Sequence, residues 1–473
     1  MKKSYNRLIL NNPELTRNIW IEFNSARLVL MPLIFALILI LISTFSPNFA
    51  DSVIIFTSIM YNIIVFIWGS KLAADAVINQ INERTWDNQI LSLISPWQMT
   101  IGKLFGATSY AWYGGFILIV LNFIAAFFVE NTLLVLKISL SNVFNAITIH
   151  SVIISLTLVG IKKNRFKTKL NSTLYFIIGL LIAWYLGYST FIFYFFENTY
   201  YKGFLNFSTT ILWHNTYFEI YDFIFLSSIP FFLWSVAGLY RSFKDELGYQ
   251  SGFSVWLGFL IYIFFYISGF SSQISLILST KEVFYIGLYL AYFSMLLITY
   301  FTLFLEPKFL TDYKKLLKSI KLKDFKELSY NLPLWVISLI ISIILALLTL
   351  IYSIAFVIDG NENFFFLDLA VFLPLNLLLF SIRDIFFVNY ITFTGKFKKP
   401  DFSSFIFLVL GYSLLPGILS VFDLNDLVPI FFPFAESTFL NGTIPIFLQV
   451  VFIFILIKQK FKSVSFQIES ISK

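Results

Sequence analysis

Long apolar runs and shorter polar segments alternate along the whole chain. Each run approaches the roughly 20 mostly apolar residues that a helix needs to cross the hydrocarbon core of a bilayer. Because that core has no water to pair with backbone groups, such runs span it as helices. The pattern predicts an all-α, polytopic membrane protein with about 12 transmembrane helices, at 28–45, 53–70, 104–128, 138–160, 172–196, 218–240, 253–270, 283–305, 333–357, 364–381, 403–421 and 444–457.

The polar segments alternate in charge. All but three of the 33 Lys and Arg residues lie in seven segments, which are the N-terminus to Arg27, 71–103, 161–171, 241–250, 306–332, 382–402 and the tail from Lys458. An excess of cations in every second loop is the positive-inside pattern of integral membrane proteins. It predicts that both termini face the cytoplasm. The net charge of +7 then reflects topology and gives no evidence for nucleic-acid binding.

Composition excludes soluble classes and most metal chemistry. The chain is 58% hydrophobic and 12% charged, whereas soluble domains are about 45–50% apolar. It has no Cys, which excludes disulfides and thiolate metal sites, and its two His residues exclude a histidine metal cluster. No metal or cofactor is therefore expected on this chain.

The spans divide into two six-span halves, 1–250 and 251–473. Long cationic segments follow the second span of each half, at 71–103 and 306–332. Both segments contain Leu-Ser, then Pro at the same spacing, then Trp. This echo favours a parallel six-plus-six duplication, although two similar hydropathy profiles can also arise by chance.

A short amphipathic helix is predicted ahead of the first span. Asn12 suits the N-cap and Pro13 the first helical position. Leu15, Ile19 and Phe23 recur every four residues and form an apolar stripe. Such a helix lies in the membrane plane on the cytoplasmic side, and a simple amphipathic anchor predicts the same geometry.

The segment 83–103 predicts a second cytoplasmic helix that turns sharply into the third span. A helix over 83–94 would carry Glu83 and Asp87 on its first turns, where the helix dipole favours negative charge. Pro96 ends that helix. The sequence Ser95-Pro96-Trp97-Gln98 then starts a new one, with Ser95 and Gln98 forming a capping box.

These residues resemble a known family. Glu83-Arg84, Ser95-Pro96-Trp97 and Gly102-Lys103-Leu104, together with Asn12-Pro13, are similar to the signature of ABC-2-type ABC transporter permeases. The resemblance is strongest over 12–120 and is architectural beyond 250. It implies that the loop between spans two and three forms a coupling helix on a separate cytosolic ABC ATPase, and that the N-terminal stretch forms a connecting helix.

The resemblance also implies roles for individual residues. Glu83, Arg84 and Asp87 would recognise the ATPase. Trp86, Ile90 and Leu93 would seat the coupling helix, and Pro96 and Gly102 would set the turn into span three. The second half keeps Pro333 but lacks a Glu-Arg pair, so its weaker coupling candidates are Asp324, Lys326, Glu327 and Pro333.

The expected function is the permease subunit of an ATP-driven transporter in the bacterial inner membrane. No phosphate-binding loop with the Gly-Lys-Ser/Thr signature occurs, so ATP and its hydrolysis belong to the partner, expected in two copies. The chain itself is then not an enzyme, and the resemblance implies export of an unspecified cargo. The predicted span centres hold neither carboxylates nor arginines, and His150 favours helix packing over proton transfer.

Three alternatives remain open at this point. An ion-gradient-driven secondary transporter would need ionisable groups within its spans. A membrane-embedded transferase would use an acidic cluster at one face, for which Asp423, Asp426 and Glu436 are the candidates. A scaffold or sensor without transport activity is the third.

Overall fold

The computed structural model describes residues 12–163, 171–198, 210–274, 279–358, 372–434 and 439–471. Glu436 and most of the cationic segment 161–171 lie outside these ranges. Among the described residues, 11 helices are long and apolar enough to cross a membrane. The protein is therefore an all-α, polytopic integral membrane protein, as predicted.

The exact number of twelve spans stays a prediction. The predicted span 172–196 falls in the helix Thr173–Asn198, which is not among the 11 helices counted above. The chain forms two compact units, one with residues 1–211 and 217–251 and the other with 212–216 and 252–473. The six-plus-six duplication itself also stays a prediction.

The first unit contains ten α-helices among its described residues. They are α1 Pro13–Glu22, α2 Ser25–Phe45, α3 Phe49–Tyr61, α4 Gly69–Asn82, α5 Trp86–Ile90, α6 Pro96–Ile101, α7 Ser109–Ala126, α8 Thr132–Lys163, α9 Thr173–Asn198 and α10 Ile220–Glu246. π-helical turns at Asn62–Trp68 and Gly102–Gly106 join α3 to α4 and follow α6. A two-stranded sheet, β1 Thr210–Trp213 and β2 Thr216–Glu219, precedes α10 and was not predicted.

Helix α8 is at the centre of the first unit and packs against α4, α7, α9 and α10. Two glycines of α7 allow close packing: a Cβ on Gly114 would lie 2.5 Å from the Met31 sulfur, and one on Gly115 would lie 2.6 Å from Val65 Cγ2. A ring nitrogen of His150, Nε2, lies 2.9 Å from the Val65 carbonyl oxygen. The predicted packing role of His150 agrees with this contact.

The second unit contains eight α-helices among its described residues. They are α11 Ser254–Ser268, α12 Thr280–Leu305, α13 Leu310–Leu322, α14 Phe325–Asn331, α15 Leu334–Ile358, α16 Leu373–Thr394, α17 Pro400–Val421 and α18 Ile444–Ile471. Helix α12 packs on α15, and α16 packs on α17 and α18. Leu303, Ile385 and Val388 form a buried apolar cluster in this unit.

The predicted span at 364–381 is wrong at its C-terminal end, and its first residues, 364–371, lie outside the described ranges. The helix there, α16, begins at Leu373 and ends at Thr394, where Gly395 adopts the left-handed conformation that terminates helices. The adjacent charges Arg383 and Asp384 lower the local hydropathy, and the sequence pattern therefore places them in the following polar segment 382–402. They lie instead at the middle of α16, so the statement that span centres lack carboxylates and arginines is also wrong.

Candidate functional site

Helix α1 begins as predicted and is attached to the segment after Pro96. The Asn12 side-chain oxygen accepts hydrogen bonds from the backbone N–H groups of Glu14 and Leu15, at 3.1 and 3.2 Å. Its amide nitrogen, Nδ2, donates to the Gln98 carbonyl oxygen at 2.8 Å. One buried side chain therefore caps α1 and also attaches α1 to α6.

The turn into the third span has the predicted capping box. The Gln98 backbone N–H donates to Ser95 Oγ at 3.3 Å, and the Ser95 backbone N–H donates to Gln98 Oε1 at 3.0 Å. Pro96 occupies the first helical position. We call Ser95–Gly106 the elbow, since it turns the chain from the segment after α5 towards α7.

Glycines of the elbow make room for α1. A Cβ on Gly102 would lie 2.6 Å from Glu14 Cγ, and one on Gly106 would lie 3.0 Å from Asn18 Cβ. The Asn18 amide donates to the Gly102 carbonyl oxygen at 3.1 Å. Gly102 was expected only to set the turn, but its missing side chain also admits the polar face of α1.

Lys103 joins three segments at the centre of the elbow. Its ammonium nitrogen, Nζ, lies 2.8 Å from Glu14 Oε1 and donates to the Ala76 carbonyl oxygen in α4 at 3.1 Å. It also lies 5.6 Å from the centre of the Trp86 ring in α5, within the range of a cation–π contact. Lys103 and Glu14 are both almost completely buried. Lys103 is therefore in contact with α1, α4 and α5 at once.

Both partners are charged at neutral pH. Burial raises the pKa of the Glu14 carboxyl, but the Lys103 ammonium and the Arg17 guanidinium outweigh burial and hold that pKa below its ordinary value. Burial lowers the pKa of Lys103 to about 8, against the opposing attraction of Glu14. A buried ion pair is costly to break from one side, because the remaining charge stays without water or a full partner.

The helix predicted over 83–94 is shorter in the structure. The helix expected over 83–94 is present only as α5, Trp86–Ile90. Arg84 adopts a left-handed conformation with φ of 60°, and the chain leaves α4 at that point. Glu83 therefore caps the C-terminus of α4, and only Asp87 lies in the first turn of α5.

The candidate coupling side chains divide into buried and exposed groups. Trp86 is buried and Ile90 packs partly against the same core. Glu83, Arg84 and Asp87 are exposed. Leu93 is fully exposed and Leu91 is mostly exposed, so the role of Leu93 in seating the helix stays a prediction. The exposed surface of this segment thus combines two leucines with acidic side chains, and we call residues 83–93 the tip.

The corresponding segment of the second unit is built differently. The Asp324 carboxylate caps α14 by accepting from the backbone N–H groups of Lys326 and Glu327, at 3.0 and 3.1 Å. Both of those side chains are exposed. Pro333 lies between α14 and α15, and the Glu306 carboxylate accepts from the Leu334 N–H at 3.0 Å. The structure does not bring these candidates into a buried cluster like that of Lys103.

Sequence reasoning missed Glu14, Asn18 and Lys103 as site residues. The stripe Leu15, Ile19 and Phe23 drew attention to the apolar face of α1, but the opposite face is the one that docks. A usable signal was present: Glu14 and Asn18 are spaced i, i+4, as are Gly102 and Gly106. Two polar residues one turn apart thus face two glycines one turn apart.

A second polar cluster lies at the middle of α16. Arg383 Nε and Nη2 donate to Asp384 Oδ1 at 2.9 and 2.7 Å. The hydroxyls of Tyr300 and Tyr412 donate to Asp384 Oδ2 at 2.7 and 2.6 Å, and Arg383 Nη1 donates to Gln449 Oε1 at 3.0 Å. This cluster joins α12, α16, α17 and α18. Buried charges inside membrane spans are rare and mark functional sites by default.

Comparisons with protein families, with curated proteins and with solved structures found no match to this chain.

Proposed function

We propose that this chain is the twelve-span permease subunit of an ATP-driven ABC transporter of the ABC-2 type. It would lie in the bacterial cytoplasmic membrane with both termini in the cytoplasm. A separate cytosolic ABC ATPase, in two copies, would bind ATP and drive transport, most simply export. The observation that carries the proposal is the position of Lys103, which contacts α1, α4 and α5 at once.

The contacts of Lys103 support a mechanical role for the elbow. A partner that binds the exposed tip moves α5, and Trp86 transmits that movement to Lys103. Because Lys103 contacts Glu14 and the middle of α4 at Ala76, it passes the displacement to α1 and to the span that begins at α7. Glu83, Arg84 and Asp87 recognise the partner, while Leu91 and Leu93 supply apolar contact area on the same surface.

Co-purification tests the partner. An ATP-binding protein should be recovered with the full-length chain from native membranes, and reversal of both Glu83 and Asp87 to Lys should reduce its recovery at least tenfold. The matched control is the double reversal of Asp51 and Glu130, which are exposed on the proposed opposite side. Unchanged recovery with the tip variant, or equal loss with the control, would contradict the docking role.

The second half has its own weaker docking candidates. Asp324, Lys326, Glu327 and Pro333 would contact the second ATPase copy. Reversal of Asp324 and Glu327 should then lower the ATPase-to-permease ratio from two to one without releasing all of the partner. A ratio that stays at two would remove the second-half role while leaving the first intact.

A second function is favoured by one observation, the Arg383–Asp384 cluster within α16. Mid-membrane carboxylates carry coupling ions in secondary transporters. If Asp384 does so here, a sudden change of H⁺ or Na⁺ concentration across proteoliposomes should displace charge without any cargo, and Asp384→Asn should abolish the current. We expect no such current, because two hydrogen bonds from Arg383 and one each from Tyr300 and Tyr412 fix the Asp384 carboxylate in place.

A further inference from the structure

Helix α13 carries a polar and an apolar surface that the permease role does not use. Its 13 residues include the lysines Lys314, Lys315, Lys318 and Lys321, against one acid, Asp312. Lys314, Lys318 and Lys321 follow i, i+4, i+7 spacing and so form one stripe along the helix. Leu317 and Ile320 form a second, neighbouring stripe, and both are about half exposed.

The helix is held next to the ends of two membrane spans. The Tyr313 hydroxyl donates to Asn389 Oδ1 at 2.8 Å, and Asn389 lies in the last turns of α16. Just before α13, the Lys308 ammonium lies 2.7 Å from Asp401 Oδ1 in the first turn of α17. Helix α16 ends and α17 begins at this level. Helix α13 is therefore fixed where the apolar spans stop, which is the depth of the bilayer interface.

We infer that α13 binds an anionic lipid surface, with Leu317 and Ile320 in the acyl region and Lys314, Lys318 and Lys321 on lipid phosphates. Exposed apolar side chains beside lysines are the composition of helices that lie in the interface plane. Lysine side chains extend along such helices so that their charged ends reach the headgroups. The position of this surface at the ends of two spans, with Leu317 and Ile320 exposed beside the lysines, favours lipid over the acid-bearing tip of a second copy. Each lysine near an anionic surface strengthens association about fivefold.

A fluorescence experiment on the full chain tests both halves of this inference. Because the chain has no Cys, a single Leu317→Cys change can be labelled with bimane in vesicles of phosphatidylcholine and phosphatidylglycerol. Lipids brominated on the acyl chain should quench this label. The control label at Lys315→Cys, exposed beyond the lysine stripe, should be quenched much less.

Competition between lipids then measures the charge preference. Brominated phosphatidylglycerol should quench the label at 317 half-maximally at a mole fraction several-fold lower than brominated phosphatidylcholine. The variant K314Q/K318Q/K321Q should bring that ratio close to one. The matched variant K396Q/K398Q/K399Q removes the same charge from the exposed loop after α16 and should leave the ratio unchanged.

Any one of three other outcomes would contradict the inference that α13 binds an anionic lipid surface. Absence of quenching at 317 would mean that the apolar stripe does not meet acyl chains. Equal quenching by both lipids would remove the anionic preference. An equal loss in both lysine variants would show a general charge effect without a site on α13. The test is independent of the proposed ATPase, which is absent from the vesicles.

Discussion

The two cation-rich segments 71–103 and 306–332 share a Leu-Ser, Pro and Trp pattern but have different structures. In the first, a five-residue helix places Trp86 against a buried Lys103, and α1 docks on the elbow. In the second, the longer helix α13 is attached by Tyr313, and its lysines are mostly exposed. The difference comes from residues outside the segments. Glu14 pairs with a lysine in the first unit, whereas Asp401 from a later span pairs with one in the second.

The shared proline therefore does not give the two segments the same rigid connection to their spans. A rigid connection needs a buried contact, and the two ion pairs differ in this respect. Lys103 and Glu14 are both almost completely buried, whereas Asp401, the partner of Lys308, is 18% exposed. The second segment has exposed apolar and cationic side chains, which suit a fluid interface better than a mechanical joint.

The largest difference in stability between the two segments is expected when the paired lysine of each one, Lys103 or Lys308, is replaced. Lys103→Met leaves the buried Glu14 carboxylate with the partly exposed Arg17 as its cation and the Asn18 amide as a neutral donor, and we expect a loss of about 3 kcal/mol in the free energy of unfolding. Lys308→Met should cost about 1 kcal/mol, because water reaches its partner Asp401. Unfolding in mixed micelles with increasing SDS measures both.

The double variant Glu14→Gln/Lys103→Met provides the control for that prediction. It removes both charges and should recover most of the lost stability. If it is as unstable as the single Lys103→Met variant, the loss is one of packing, and the ion pair does not hold the elbow together.

Substitution of glycine at the elbow should have the next largest effect. A Cβ at Gly102 lies 2.6 Å from Glu14 Cγ and 3.1 Å from the Leu15 nitrogen, so Gly102→Ala must displace α1. We expect a cost of about 1–3 kcal/mol. Gly411→Ala in α17 meets nothing within 4 Å and should be neutral or slightly stabilising. Comparable effects at the two positions in the same SDS titration would show that α1 is not tightly docked.

Acidification should lower the free energy of unfolding, because it protonates Glu14, the partner of Lys103. The pKa of this carboxyl is lower in the folded protein than its ordinary 4.5. Its stabilising effect is therefore fully present above about pH 4.5. It is lost as the pH falls through the lower folded-state value. The stability difference between the wild type and Glu14→Gln should be constant from pH 6 to 5 and shrink below pH 4.5. A stability difference that grows on acidification would contradict the lowered pKa assigned to Glu14.

The smallest effects on stability should come from the exposed tip. Leu91→Ser and Leu93→Ser remove little buried surface, so stability should change by less than about 0.5 kcal/mol. Recovery of the ATP-binding partner should nevertheless fall severalfold. Phe325→Ser, an equally exposed change in the second segment, is the matched control. Loss of partner with Phe325→Ser and not with the leucine variants would assign docking to the other segment.

Local signals in the sequence were sufficient for most of the helices and for their caps. Asn12, Ser95 and Pro96 act within a few residues, so their capping roles followed from the order of residues alone. The lengths of the apolar runs predicted the membrane spans, except where Arg383 and Asp384 interrupt a run. Those charges are tolerated because Tyr300, Tyr412 and Gln449 come from three other helices, and no local pattern records such partners.

The ion pair at the elbow could not be predicted from a local pattern either. Glu14 and Lys103 are far apart in the sequence, and each one alone has the pattern of an ordinary surface charge. The helix over 83–94 was predicted to start too early because Arg84 takes the left-handed conformation that glycine usually supplies at a helix end, and the Thr85 N–H donates to the Gln80 carbonyl oxygen at 2.8 Å. The coupling roles of the residues in this segment stay predictions.

Photo-crosslinking from the tip tests the central claim most directly. A photoreactive amino acid in place of the fully exposed Leu93 should crosslink, in native membranes, to one protein that contains an ATP-binding phosphate loop. The same probe at Glu130 should not. Crosslinks from position 93 that reach only lipid, or proteins without a nucleotide site, would contradict the account of the tip and elbow as a lever driven by an ATPase.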